Sequence, residues 1–307
     1  MKRIYEFDVI RSLCFIWIVA VWHLNSYLIS SLHYSGYVLD LFHNITYAAL
    51  GMFTFLSGVL LSKYQFYSFK DLSSFYKKRL SKFFLLLLIS TLSYRIVGWI
   101  DTKQVFQVIC GVNLFLGPSV PTLWFFSMMV FFYIVTPIIM LCYSKKYQTL
   151  FRLSISLCVY LLICADVILF SSDKRLLFYF PMYFLGLYMG SDKLLSLIHS
   201  KWLYFLIPFC LLLFIGRLHP IISELTGGIL FILGGKLAFP LINNFWRFVS
   251  ISSMIAYLFH RQYFSLIMRL FELQGMTYIS SSFAIGAFVI LVVISYYSQT
   301  IIDNLKK

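Results

Sequence analysis

The chain has 307 residues, of which 61% are hydrophobic and only 12% charged, with a formal net charge of +14. A soluble domain carries roughly 25% charged residues, and half that fraction does not cover a water-facing surface of this size. The composition excludes a water-soluble globular fold and points to an all-α, polytopic membrane protein.

The first apolar run, Phe7 to Leu24, reads FDVIRSLCFIWIVAVWHL. It follows Met1-Lys2-Arg3 like a signal peptide, but it is too long, holds Asp8 and Arg11, and lacks a small-residue cleavage site. It reads as a retained first helix over 9–30. Further spans of about 20 apolar residues are expected near 41–62, 83–100, 122–143, 151–170, 176–190, 202–216, 220–238, 248–270 and 279–301, ten in all. The shorter run 105–116 reads as a re-entrant or interfacial piece.

Charge tests this layout. With the N-terminus placed in the cytoplasm, the outer loops hold Lys103, Lys174, Arg175 and Arg217. All other Lys and Arg outside the spans, from Lys2 and Arg3 to Lys306 and Lys307, fall on the inner side. Both termini are therefore expected in the cytoplasm. The positive charge is topology signal, with lipid as the surrounding partner and no nucleic acid called for. The loops are too short for a soluble catalytic domain, so an active site must be built from helix side chains and short connections. There is no internal repeat. The cysteines lie in or beside apolar runs without a C-x-x-C pair and read as small buried hydrophobes. No His/Cys/Asp cluster has metal-ligand spacing, so no metal is expected.

An ionisable group at the bilayer centre costs about 3 kcal/mol on insertion scales and normally faces a bundle interior or a wet cavity. Arg11, His23, Asp166, Glu224, His260 and Arg261 all fall within spans or at their ends. On the opening helix, Asp8 and Arg11 are three apart and can pair. His23 lies about 18 Å further along the axis, but about 120° around from Arg11 in a regular α-helix. A spacing of eleven, or one inserted π-bulge, would align them better. Read alone, His23 is as well explained as a structural hydrogen-bonder as by catalysis. Trp17 and Trp22 read as packing or interface anchors. Asp166 reads as a helix cap, Glu224 as a partner for Arg217 or His219, and His33, His43, His199 and His219 as ordinary loop-side groups.

Five stretches, in order, resemble the acyltransferase-3 family of membrane proteins: FDVIRSLCFIWIVAVWH, MFTFLSGVLLS, FYKKRLSKFF, LWFFSMMVFFYIVTPI and SSMIAYLFHRQYF. The matching features are the Asp8-x-x-Arg11 start and His23, then Ser57-Gly58, then the basic segment at Arg79, then Trp124, Tyr133 and Pro137, then Tyr257 and His260. There are departures. Many members have ten residues between the arginine and the histidine, whereas here there are eleven. Lys82 replaces a second arginine, giving a point charge in place of a two-pronged grip. Members with a fused extracellular hydrolase-like domain often carry a glutamate where this chain has Met129, so a stand-alone member is expected, with residues 1–307 forming one membrane-embedded acyltransferase domain.

The resemblance implies an enzyme of the bacterial cytoplasmic membrane that O-acylates an exported glycan or lipid-linked glycan, usually with acetyl. Acetyl-CoA would be the donor substrate, with no permanently bound cofactor. A sugar hydroxyl needs a base as it attacks a thioester, and a neutral imidazole suits that role. His23 is the expected base. Arg11, Arg79 and Lys82 are expected to meet the donor's phosphates, with Asp8 orienting Arg11. For Lys77, Lys78 and Lys82, plain positive-inside anchoring explains the charge equally well. Tyr257, His260, Arg261 and Trp124 are expected to support the site or bind acceptor, a satisfied structural network being the alternative for the first three. Ser57-Gly58 and Tyr133 with Pro137 read mainly as packing and helix-bending features. No histidine adjoins Ser57 to activate it as a nucleophile. A transporter or flippase of lipid-linked sugars is the rival class, and the absent repeat counts against it. Transfer to a peptide or small metabolite is a third reading.

Overall fold

The computed structural model describes residues 4–28, 36–116, 119–141, 148–238, 243–273 and 280–304. These are almost entirely helical, and the single β feature among them is an isolated bridge between Phe66 and Leu141. The helices are α1 (Tyr5–Phe15), a π-helical continuation (Ile16–His23), α2 (Leu24–Leu28), α3 (Tyr37–Leu61), α4 (Phe69–Ile96), α5 (Thr102–Ile109), α6 (Leu123–Met140), α7 (Gln148–Phe170), α8 (Arg175–His199), α9 (Ile207–Leu211), α10 (Pro220–Ala238), α11 (Asn243–Leu273) and α12 (Ser281–Asn304). Single 3-10 segments flank α9. His33, Cys142, Lys145, Lys146 and the outermost basic residues lie outside the described part.

Among the described residues, six stretches are long and apolar enough to cross a membrane: Tyr5–Ser26, α3, α6, α7, α10 and α12. A seventh is added if α8 and Lys201–Phe214, which meet at 89°, form one broken span. Residues 83–100 and 248–270, expected as spans, are helical in α4 (to Ile96) and α11, but neither helix is among the six. Each mixes apolar turns with charge: Lys70, Lys77, Lys78 and Arg79 in α4, and Arg247, Arg261 and Arg269 in α11. Residues 202–216, expected as one straight span, are instead a broken run of short 3-10 and α segments. The run 105–116 contains the short α5, closed by an Asp101–Gln104 capping box.

The chain divides into two compact units. The first comprises Met1–Leu56 and Asp192–Lys307. Here α1 packs on α10 and α11, and α11 on α12. Close approach is set by small residues: a Cβ on Gly235 would meet the Ile10 side chain at 2.5 Å, and one on Gly51 would meet the Glu224 side chain at 2.7 Å. Asn44, fully buried, donates to the carbonyls of Leu213 (3.0 Å) and Gly216 (2.8 Å) and accepts from the Leu218 N–H and the Ser223 hydroxyl. One side chain thereby satisfies the irregular backbone that leads into α10. Trp17 donates to Thr46, and Trp22 packs on Phe42 and His43, so both tryptophans pack on α3 as expected.

The second unit, Ser57–Ser191, holds the end of α3, α4 to α7 and most of α8. Gly58 lets α3 and α8 touch, because a Cβ there would run into the Tyr183 carbonyl. Tyr183 stacks on Phe132 at 4.4 Å and shares a hydrogen bond with Thr136, one residue before the helix proline Pro137. Tyr133 meets Phe83 edge-on at 5.2 Å. The packing role expected for Gly58 and for Tyr133 is what these contacts deliver. The start of α4 is fixed by a Ser68–Asp71 capping box.

Candidate active site

The site is built on the first helix. From Ile16 to His23 the helix is of the π type, and at its end the Leu24 N–H reaches five residues back to the Val19 carbonyl. A π segment accommodates one residue more than the α-helix it interrupts. The twelve steps from Arg11 to His23 then turn about as far as eleven α steps, which leaves His23 about 20° from Arg11. The extra residue between them is absorbed by the wider turns, and Arg11 and His23 share a face. Both are half-buried.

Across from His23 stands α11. The His23 and His260 rings lie 4.7 Å apart at 40°. His260 has no exposed surface, and its Nδ1 sits 2.6 Å from the Tyr257 carbonyl oxygen. A carbonyl only accepts, so Nδ1 carries the proton. That fixes the ring's orientation and leaves Nε2 as the free position of a neutral imidazole. Nε2 has no hydrogen-bond partner among the described residues. Tyr257 packs at 5.6 Å from His260 and at 6.5 Å from Phe53 of α3, and Phe264 closes the far side at 6.1 Å. Arg261 is half-buried and within electrostatic reach of both imidazoles. The arrangement is a pair of imidazoles enclosed by aromatic rings with one guanidinium close by, suited to holding and passing a proton.

Below this pair, Asp8 is 5% exposed and accepts a 2.7 Å hydrogen bond from Ser250 of α11. The Ser12 hydroxyl lies 2.7 Å from the Asp8 carbonyl and 2.9 Å from that of Trp246. Ser250 and Ser12 escaped the sequence reading. The one signal was small: serines at 250, 252 and 253 inside an otherwise large-residue helix. Glu224 is buried on α10, and both carboxyl oxygens lack a hydrogen-bond partner, so the expected pairing with Arg217 or His219 is not formed.

The other expected site residues belong to the second unit. Arg79 donates through Nη2 to the Tyr64 hydroxyl at 3.0 Å, with its guanidinium carbon 5.3 Å from the Tyr64 ring centroid. Tyr64 is itself wedged against Phe66 and Phe75. Lys82 follows in α4, its side chain outside the described part. Trp124 opens α6 and is 8% exposed. The Tyr76 hydroxyl donates to the Ile134 carbonyl and, further along α4, Phe83 packs on Phe126, so α4 and α6 run antiparallel and Trp124 lies at the end of this unit away from Arg79. The structure thus brings His23, Tyr257, His260 and Arg261 together and ties Asp8 to Ser250 in the first unit, and within the second unit it holds Arg79 and Trp124 at opposite ends.

No curated protein and no solved structure matches the chain. The profile of the acyltransferase-3 family, described as an acyltransferase domain, matches residues 4–299. That span takes in both units, the π-helical turn and the facing histidines. The chain belongs to the acyltransferase-3 family and is a membrane acyltransferase.

Proposed function

We propose that the protein O-acetylates an exported polysaccharide at the bacterial cytoplasmic membrane, using acetyl-CoA from the cytoplasm. In this reading the chain crosses the membrane ten times with both termini inside, and His23 is the general base. As the sugar oxygen attacks the thioester carbonyl carbon, His23 takes the hydroxyl proton. The carbon–sulfur bond breaks, His23 returns the proton to the departing thiolate, and the products are an O-acetyl sugar and free CoA. His260, its Nδ1 proton held by the Tyr257 carbonyl, orients His23. Arg11 on the same helix, and Arg79 with Lys82 on α4, are assigned to the donor's phosphates, and Asp8 supports Arg11.

The observation that carries this reading is the His23–His260 pair, 4.7 Å apart, placed by a π-helical turn on the face of Arg11. The test supplies membranes holding the protein with radiolabelled acetyl-CoA and glycan. Label should enter the glycan, and His23→Ala should stop it at unchanged protein level. Label entering equally in His23→Ala removes His23 from the role of base. Unlabelled sugar crossing the bilayer instead would favour a transporter.

A further inference from the structure

At the end of the second unit where α6 and α8 begin, a second polar cluster gathers on one aromatic ring. Arg175, the first residue of α8, places its guanidinium carbon 4.5 Å from the centroid of Trp124, which stacks at 5.7 Å on Tyr179. Nη1 of the same guanidinium donates to the Ser119 hydroxyl at 3.0 Å and pairs with Asp173 Oδ2 at 3.5 Å. Ser119 in turn donates to Asp173. Asp173 Oδ1 accepts the Arg175 backbone N–H at 3.0 Å, and the Asp173 N–H donates to the Leu114 carbonyl at 3.0 Å. The Arg175 side chain stays 40% exposed and that of Asp173 12%. The pair is held in place and still reachable.

Two neighbours set this cluster apart from an ordinary loop network. Asn113, beside Leu114, is 1% exposed, and neither polar atom of its amide has a hydrogen-bond partner among the described residues. Thr122, at the cap position of α6, is 2% exposed, and its hydroxyl neither caps the helix nor finds another partner among them. A buried polar group left unmatched costs about 1–3 kcal/mol and calls for an explanation. Thr122 and Ser171 are also the non-glycine residues, among those described, with positive φ (67° and 54°), and both belong to this end of the unit. Strain of this kind collects at functional sites.

The chemistry selects a ligand class. Arg175 and Asp173 neutralise each other, so the cluster offers donors and acceptors side by side with no net charge. A phosphate or carboxylate only accepts hydrogen bonds and would face the Asp173 carboxylate. Neighbouring sugar hydroxyls each donate and accept, and match Arg175 and Asp173, with the unmatched amide of Asn113 one residue from the Leu114 carbonyl that holds the Asp173 N–H. We propose that this cluster is a binding subsite for one neutral, hydroxyl-rich sugar residue of the acceptor. The proposal rests on the acyltransferase reading and gives its acceptor an anchoring point. It lies at the end of the unit away from the basic stretch around Arg79, the end that charge asymmetry assigns to the outside.

The test uses the full-length protein in lipid nanodiscs, with oligosaccharides released from the source organism's own exported glycans as probe. Binding and transfer of labelled acetyl are both measured. N113A should raise the acceptor KM about tenfold, the value of one lost hydrogen bond, and R175A about 10- to 100-fold, since a charged donor is lost. The donor KM and kcat at saturating acceptor should stay put. Asn113 makes no side-chain bond among the described residues, so N113A should also keep its thermal stability, unlike a residue with a purely structural role. Millimolar inorganic phosphate should not compete. An acceptor KM unchanged in both variants overturns the subsite and leaves the proposed activity standing. Binding that is lost in both variants, with no transfer by the unaltered protein, overturns the activity and leaves the subsite. Competition by phosphate, or absence of any oligosaccharide binding to the unaltered protein, overturns the sugar assignment.

Discussion

The first helix and α7 are both apolar enough to cross a membrane, yet the protein uses them in opposite ways. In the stretch that qualifies each as a span, 56% of the first is buried inside the protein but only 11% of α7. The first carries Asp8, Arg11 and His23, packs on α10 and α11, and abandons regular α geometry for two π turns. Apart from Arg152 near its start and Asp166 near its end, α7 carries no charge; it is a regular helix that exposes Leu157, Leu161, Leu162 and Ile168. In a bilayer an apolar side chain gains little by leaving lipid, so helices associate through close packing and polar contacts. The helix with costly groups along its length is drawn inward and distorted to fit, and the helix that keeps its charges near its ends stays bare.

The largest effect that follows falls on His23. If it is the base, His23→Ala lowers acetyl transfer by about 10²–10⁴-fold, while Leu162→Ala on α7, 70% exposed, leaves the rate unchanged. Comparable losses from both would erase the distinction between the two helices. The π turn gives a sharper comparison. Deleting Ala20 leaves eleven steps between Arg11 and His23, which a regular α-helix carries within about 20° of alignment. That deletion should keep activity within about tenfold. Deleting Ala20 and Val21 leaves ten steps, which put the histidine about 80° from Arg11, and should abolish transfer. A one-residue deletion in the middle of α7, such as Leu161, should be tolerated by comparison.

Packing predicts smaller changes, read as stability in detergent. Ile10→Ala, at the contact with Gly235, should cost about 2 kcal/mol by opening a cavity. Ser250→Ala should cost about 1–3 kcal/mol, because it strips a hydrogen bond from the buried Asp8 carboxylate. Leu162→Ala should stay within about 0.5 kcal/mol. The smallest effect belongs to a helix end outside the spans. The Ser68 hydroxyl, then the Tyr67 backbone N–H, hold the Asp71 carboxyl below its usual pKa. Its contribution to the start of α4 is therefore complete above the ordinary carboxylate range and disappears only as pH falls through the lower folded value. Amide exchange in the first turn of α4 should quicken there, and Asp71→Asn should remove the pH dependence.

The sequence by itself determined the class, because too few charges to coat a soluble surface leave only the membrane. It also determined the family, since the motif residues from Asp8 to His260 stand in order along the chain. It marked His23 and His260 separately, through the cost of a titratable group among apolar ones. It even implied a π turn, because twelve steps do not bring Arg11 and His23 to one face of a regular helix. Only the tertiary structure decided that His23 and His260 meet, since they are 237 positions apart and no local pattern encodes a contact between α1 and α11. The same holds for Ser250 on Asp8, and for the break at 202–216, where backbone groups find Asn44 instead of their own helix. The seating of Arg175 on Trp124 and Ser119 likewise depends on distant segments. Composition reports what a segment costs in lipid, whereas which polar group relieves another is settled by packing, and that is a property of the whole fold.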